Sequence, residues 1–212
     1  MGKDCTDDMI TSSANQQMKH LSQLMKRAKE RKKEQVFVVE GIKMFQEAPA
    51  DTVVSVYVES FLEKPEHEKC LQGYRYEVVS DAVFREISDT QTPQGILAIV
   101  RMPKYDLPDL LQGDHTHLLI LESVQDPGNL GTMVRTGEGA GITGVIMNRT
   151  TVDLFNPKTI RSTMGSIYRV PYVIADDFVA TLQELKAKGV SLYAAHLKGK
   201  KQYDAFDYTE PT

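Results

Sequence analysis

Residues 117–141 limit the fold of this 212-residue chain more than any other stretch. The apolar run His117-Leu118-Leu119-Ile120-Leu121 gives way to a turn at Asp126-Pro127-Gly128, then to Asn129-Leu130-Gly131-Thr132-Met133-Val134-Arg135-Thr136-Gly137. A short apolar run bounded by turn residues reads as a buried strand, and the segment after the turn as a helix opening near Leu130 with Asn129 as its N-cap. Strand-to-helix junctions are where α/β proteins place ligands. Such a helix sets Thr132, Arg135 and Thr136 at i, i+3 and i+4, so one face carries a cation and two hydroxyls. A cation in the first turns opposes the helix dipole, so Arg135 is poorly explained by stability. The glycines read equally as a tight turn with close helix–sheet packing, and a lone Gly-x-x-x-Arg has little specificity.

The same alternation continues downstream. Strands are expected at 144–147, 170–174 and 190–195, with helices at 130–140, 157–164 and 177–188, which predicts right-handed crossovers and a mostly parallel sheet. Upstream, strands at 36–39, 53–58, 76–79 and 95–100, with helices at 42–48 and 80–88, predict a smaller α/β layer structure. Pro103 and Pro108 interrupt any periodicity between these halves. The expected division is therefore an N-terminal domain at 1–102, a linker at 103–109 and a second domain at 110–212.

Net charge is −4, which argues against an indiscriminate nucleic-acid binder, yet Lys19, Lys26, Arg27, Lys29, Arg31, Lys32 and Lys33 crowd one segment. Leu21, Leu24, Met25 and Ala28 recur there at helical spacing, so the segment reads as one amphipathic helix with a basic outer face. That face is either solvated or a phosphate contact. No apolar run approaches the roughly 18 residues needed to span a bilayer, and no signal or transit segment is apparent. Cys5 and Cys70 lack metal-ligand or redox spacing and read as reduced thiols in a cytoplasmic protein. No metal is called for.

Val124-Gln125-Asp126-Pro127-Gly128-Asn129-Leu130-Gly131-Thr132, followed by Arg135-Thr136, resembles the first signature motif of the SpoU (TrmH-type) RNA methyltransferases of the SPOUT superfamily. The run from Asp153 to Ser166 resembles the family's Asn-Pro-Lys and Arg-x-Ser-x-Gly segment, in which Asn156 would cap a helix with Pro157 in its first turn. The Phe-Val-Val-Glu-Gly start and Gln91-Thr92-Pro93-Gln94-Gly95-Ile96 resemble the family's N-terminal substrate-binding domain, related to a ribosomal-protein RNA-binding fold.

The resemblance implies transfer of a methyl group from S-adenosylmethionine to a ribose 2′-hydroxyl of ribosomal RNA, with transfer RNA as the second choice. It implies Arg135 and Asn129 as catalytic residues. Lys26, Arg27, Arg31, Lys32, Thr132, Lys158, Arg161 and Ser162 become RNA-contacting candidates, and Ala195, His196 and Leu197 the border of the cofactor. Relatives act as homodimers, so a homodimer is implied too. Two further family motifs, Gly-x-Glu-x-x-Gly and Pro-Met-x-Gly with Ser-Leu-Asn-Val, do not occur in the sequence. In the family they build a C-terminal trefoil knot and most of the cofactor pocket. The expectation is thus of a C-terminally shortened chain, inactive alone, with an open sheet edge. An alternative is an RNA-binding protein without catalysis. A nucleotide-binding oxidoreductase is weaker still, because the Gly-x-Gly-x-x-Gly spacing is absent after 117–121.

Overall fold

A capped amphipathic helix opens the computed structural model, which describes residues 9–59, 61, 64–112 and 115–212. Asn15 accepts from the Gln17 amide at the start of α1 (Gln16–Lys26), and Met18, Leu21, Leu24 and Met25 form its buried stripe. The basic segment is not one helix. The chain is extended at Arg27 (φ −124°, ψ 110°), and a second helix, α2 (Ala28–Glu34), sets off from there at a new angle.

The first half then runs β1 (Val36–Glu40), α3 (Ile42–Glu47), β2 (Val53–Val58), α4 (Pro65–Cys70), β3 (Tyr76–Val78), α5 (Asp81–Ile87) and β4 (Ile96–Arg101). These strands form one sheet in the order β1-β4-β2-β3, with β4 antiparallel to both neighbours and β3 parallel to β2. Side chains alternate across β1 as strand geometry requires. Val36 and Val38 join the cluster beneath α1 and α5, whereas Phe37 and Val39 point to the other face.

The expected linker is more ordered than its prolines suggest. It contains a single-turn helix, α6 (Leu107–Leu110), closed by reciprocal Asp106 and Asp109 capping. Leu110 is fully buried against Gly144, and the Tyr105 ring meets Tyr172 edge-on at 5.8 Å.

The second half continues β5 (Leu118–Leu121), α7 (Pro127–Gly139), β6 (Gly144–Asn148), α8 (Pro157–Thr163), β7 (Tyr172–Ala175) and α9 (Phe178–Ala187). Its sheet, β5-β6-β7, is wholly parallel. The expected strand at 190–195 is not formed. A strand needs a ladder partner, and the position beside β5 is taken by Pro211 and Thr212. Thr212 donates to Thr116 O at 2.9 Å and accepts from Leu118 N at 2.7 Å, while Ser191 N reaches only Pro211 O at 2.8 Å. The β5 side of the sheet is therefore met by Thr212 and is not open there.

One hydrophobic core crosses the boundary between the halves. Phe37 of β1 packs on Phe155 at 4.9 Å between ring centroids, and Phe155 on Tyr172 at 5.5 Å. The same cluster holds Phe45 and Val100 from the first half with Leu130, Val145 and Ile160 from the second. The Tyr168 hydroxyl donates to Met44 O at 2.7 Å, and burial pushes that phenol well up from its usual range.

A polar clamp lies beside this core. Arg169 pairs with Glu47 of α3 at 2.7 Å and with Glu138 of α7, and Ser166 donates to Glu138 at 2.5 Å. The hydrogen bond from Arg169, above all, holds the Glu138 carboxyl below the usual carboxylate range. A carboxyl depressed in the folded state stabilises above its unfolded pKa, near 4.3, and that contribution is lost as pH falls through the folded value. Glu138→Gln is therefore expected to flatten the loss of stability below about pH 4.5, at a cost near pH 7 of up to about 1 kcal/mol. Urea midpoints across pH 7 to 3 check this, and an unchanged acid slope would contradict it.

Candidate active site

The helix after β5 begins three residues earlier than its sequence suggests. Asp126, not Asn129, is the N-cap: its carboxylate accepts from the Asn129 amide at 2.7 Å, and Pro127 occupies the first helical position, where a missing N–H costs nothing. Asn129 thereby sits within the first turn, exposed, its side-chain amide without a partner among the described residues.

Two faces of α7 divide the work. Leu130, Gly131, Val134 and Gly137 are buried, and Thr132, Arg135 and Thr136 are exposed. No described side chain forms a hydrogen bond or ion pair with Arg135, so its guanidinium is available to a ligand. Gly131 serves packing between helices. A Cβ on Gly131 would lie 2.5 Å from both Thr159 O and Ser162 Cβ, so α7 and α8 approach to backbone distance only because Gly stands there.

Asn156 caps α8 as the sequence predicts, accepting from the Lys158 amide at 2.9 Å, with Pro157 first in the helix. Lys158 lies 3.8 Å from Asp126, and Ser162 donates to Lys158 O at 2.9 Å. The α7–α8 contact thus gathers Asn129, Thr132, Arg135, Lys158 and Ser162 on two adjoining helices. Arg161 faces elsewhere, donating to Asp89 at 2.8 Å.

The basic N-terminal residues separate. Lys26, Arg27 and Lys32 are exposed. Arg31 is 2% exposed and cannot meet RNA in this arrangement. Its Nε and Nη2 converge on Asp153 Oδ2 at 3.2 and 2.5 Å, and Nη1 donates to Leu24 O and Met25 O at 2.5 and 3.1 Å. The guanidinium satisfies carbonyls at the end of α1 and ties α2 to the loop before α8. That is the physical reason the helix breaks and Arg31 turns inward.

Ala195, His196 and Leu197 are exposed, Leu197 completely. Ala195 borders a cleft of ≈ 620 Å³ with Ile120, Glu122, Phe178 and Leu182, but His196 and Leu197 lie outside it and neither α7 nor α8 lines it. His196 Nδ1 only accepts from the Lys198 amide at 3.0 Å. Among the described residues no cluster of three or more His, Cys, Asp or Glu side chains could hold a metal, and no helix is long and apolar enough to cross a membrane.

A positioning network that the sequence does not announce underlies the loop entering α7. Ser123 takes a left-handed backbone (φ 54°), unusual for a non-glycine residue. Asn148 at the end of β6 holds it there: Oδ1 accepts from Ser123 N at 2.9 Å and Thr151 Oγ1 at 2.8 Å, and Nδ2 donates to Ser123 Oγ at 3.1 Å. Gln125 donates to Ser123 O and Thr150 O at 3.0 and 2.9 Å. The one sequence signal is the polar run Asn148-Arg149-Thr150-Thr151 ending an apolar strand.

The profile of the SpoU rRNA Methylase family matches residues 116–212, and that of the MRM3-like substrate binding domain matches residues 15–98. The 23S rRNA (guanosine(2553)-2′-O)-methyltransferase RlmP of Bacillus subtilis (strain 168) is 34% identical over 204 residues, covering 95% of this chain and 78% of the relative. The crystal structure of an AdoMet-bound rRNA methyltransferase from Sinorhizobium meliloti superposes with a TM-score of 0.82 at 29% identity, covering 96% of this chain and 78% of that one. AviRb from Streptomyces viridochromogenes, a SpoU methyltransferase solved in complex with AdoMet, shares the fold with a TM-score of 0.81 at 21% identity, over 93% of this chain and 78% of that one. The chain belongs to the SpoU rRNA methylase family.

Proposed function

We propose that this protein transfers a methyl group from S-adenosylmethionine to a ribose 2′-hydroxyl of ribosomal RNA, in the cytoplasm and as a homodimer. The single observation that carries the reading is Arg135, exposed and unpaired among the described residues, on a helix face with Asn129 and Thr132. Membership of the family supplies the reaction class. S-Adenosylmethionine, when bound, supplies an electrophilic methyl group.

The chain's own residues manage the nucleophile. A sugar hydroxyl attacks in line only when held rigidly and relieved of its proton. Arginine stays protonated in proteins, so Arg135 orients the hydroxyl or its neighbouring phosphate and stabilises developing negative charge rather than taking the proton. Asn129, able both to donate and to accept, fixes the ribose. Thr132, Lys158 and Ser162 hold the flanking backbone, while Lys26, Arg27 and Lys32 add sequence-independent affinity through phosphate contact. In this division of labour residues 1–102 hold the RNA, 103–109 join the halves and 110–212 carry the reaction. Of the residues at the expected cofactor border, Ala195 lines the large cleft beside β5, and His196 and Leu197 lie outside it.

The test is incubation of the intact protein with labelled S-adenosylmethionine and transcribed large-subunit ribosomal RNA, then mapping of alkali-resistant linkages. Label at one such linkage is the expected result. RNA binding without cofactor binding or label would replace this reading with a non-catalytic RNA-binding protein.

A further inference from the structure

A second cleft, of ≈ 260 Å³, lies on the seam between the halves, where Lys43, Met44, Thr92 and Gln94 of the first half face Arg161 and Met164 of the second. Its polar groups are mostly donors. Arg161 gives Nη2 to Asp89, while its Nη1 is shut away from solvent without any partner among the described residues. Gln94 commits its carbonyl oxygen to the Ile42 amide at 2.9 Å, which leaves its own NH2 without a partner among the described residues. Lys43 is 57% exposed and reaches Glu47 only at 3.7 Å.

Nearby acceptors are already committed. The Glu40 carboxylate in the cleft wall accepts from Ser88 Oγ at 2.5 Å, Thr90 Oγ1 at 2.6 Å and Asp89 N at 3.3 Å. Met44 and Met164 supply two soft apolar surfaces, and Met164 is held in a left-handed turn at 42% exposure. Donors, a buried guanidinium nitrogen lacking an acceptor and two thioethers together suit a ligand that is anionic at one end and flat and apolar at the other. The volume falls just below that of usual small-molecule pockets, about 300–1,000 Å³, and admits one base but no duplex.

We propose that this cleft seats one unpaired nucleotide of the substrate RNA. The proposal rests on the RNA reading above and adds a specificity subsite to it. The base lies between Met44 and Met164 with its carbonyl edge on Gln94 and Thr92, and its phosphate meets Arg161 and Lys43. A turn of the guanidinium about its last torsions brings Nη1 to a phosphate oxygen. The Asp89 pair is partly solvated, with Asp89 53% and Arg161 29% exposed, so it stands nearer the weak exposed pairs than the fully buried ones. The cleft is linked to the α7–α8 contact through α8. Arg161 precedes Ser162, whose Cβ sits against Gly131, and Arg135 stands about one helical turn, roughly 5–6 Å, beyond Gly131. Sequence-selective RNA recognition characteristically uses such splayed, unpaired bases.

The test uses the intact protein and transcribed large-subunit ribosomal RNA fragments containing 4-thiouridine, irradiated and mapped by peptide. Crosslinks in peptides holding Met44, Gln94 or Met164 are expected. Arg161→Gln with Lys43→Gln is expected to weaken RNA binding by about tenfold or more and to reduce the salt slope by about 1–2, with the thermal midpoint held. Crosslinks confined to other surfaces, with affinity and salt slope unchanged in the double variant, would overturn the subsite while leaving the RNA reading intact. Failure of the unaltered protein to bind any fragment would overturn both. If the double variant loses its fold, Thr92→Trp, which fills the mouth of the cleft from an exposed position, carries the same expectation of lost crosslinks.

Discussion

Arg135→Ala in the intact protein is expected to lower methyl transfer by at least about 10²–10³-fold, the range seen when one preorganised charge-stabilising donor is removed. The fold should survive, because the side chain is exposed and supports no described neighbour. RNA affinity separates the two ways in which a cation can matter here. A group acting on the reacting hydroxyl leaves affinity and its salt dependence nearly unchanged. A phosphate anchor instead loses affinity uniformly and reduces the salt slope by about 1. Arg135→Lys keeps the charge but not the planar fork, and intermediate turnover is expected from it. Single-turnover methylation with RNA titrations at two salt concentrations decides the matter, and turnover by Arg135→Ala close to that of the unaltered enzyme would remove Arg135 from the chemistry.

Arg31→Met should cost more stability than any surface substitution in the molecule, about 3–5 kcal/mol, because it leaves Asp153 charged with its partner gone. The Asp153 side chain is only 14% exposed and Arg31 3%. For a chain of this size that corresponds to a thermal midpoint lower by roughly 6–20 °C. The loss has a second origin in the carbonyls of Leu24 and Met25, which also lose their donor. Adding Asp153→Asn should recover much of it, since an amide still accepts from Phe155 N but no longer buries a lone charge. Paired urea titrations of the two single variants and the double one give the coupling. A loss below about 1 kcal/mol in Arg31→Met would mean that the pair is solvent-screened and that α2 is held by other contacts.

These two arginines show how differently a sequence exposes its own structure. The exposure of Arg135 is legible, because a local motif fixes its helix and Thr132, three residues before it, shares its face. Arg31 misleads by its charge: it reads as one more cation in a basic run, although it stands seven residues after Leu24 and so shares the apolar stripe. Its partner lies 122 positions along the chain, and no local pattern announces such a pairing. The capping of α7 is a milder case. Asp126 and Asn129 both suit an N-cap, and only Pro127, which prefers the first helical position, discriminates between them. Residues 190–195 have strand-like composition, but composition cannot provide the neighbour that a ladder needs, and the backbone of Thr212 fills that place beside β5. All seven strands are legible, β7 with its start two residues later than expected, because each carries apolar or β-branched residues in a short run bounded by turns.

The aromatic contact of Phe37 with Phe155 bears on how such a protein can be rebuilt. An RNA-holding module that merely hung from a tether could be exchanged between relatives to redirect the enzyme to another nucleotide. Here the two halves of the chain share side chains in a single interior, reinforced by Tyr168 reaching Met44 and Arg169 reaching Glu47. A transplanted module would have to bring matching partners for the loop before α8 and for the turn after it, so chimaeras joined within 103–109 inherit a mismatched interior unless both surfaces travel together.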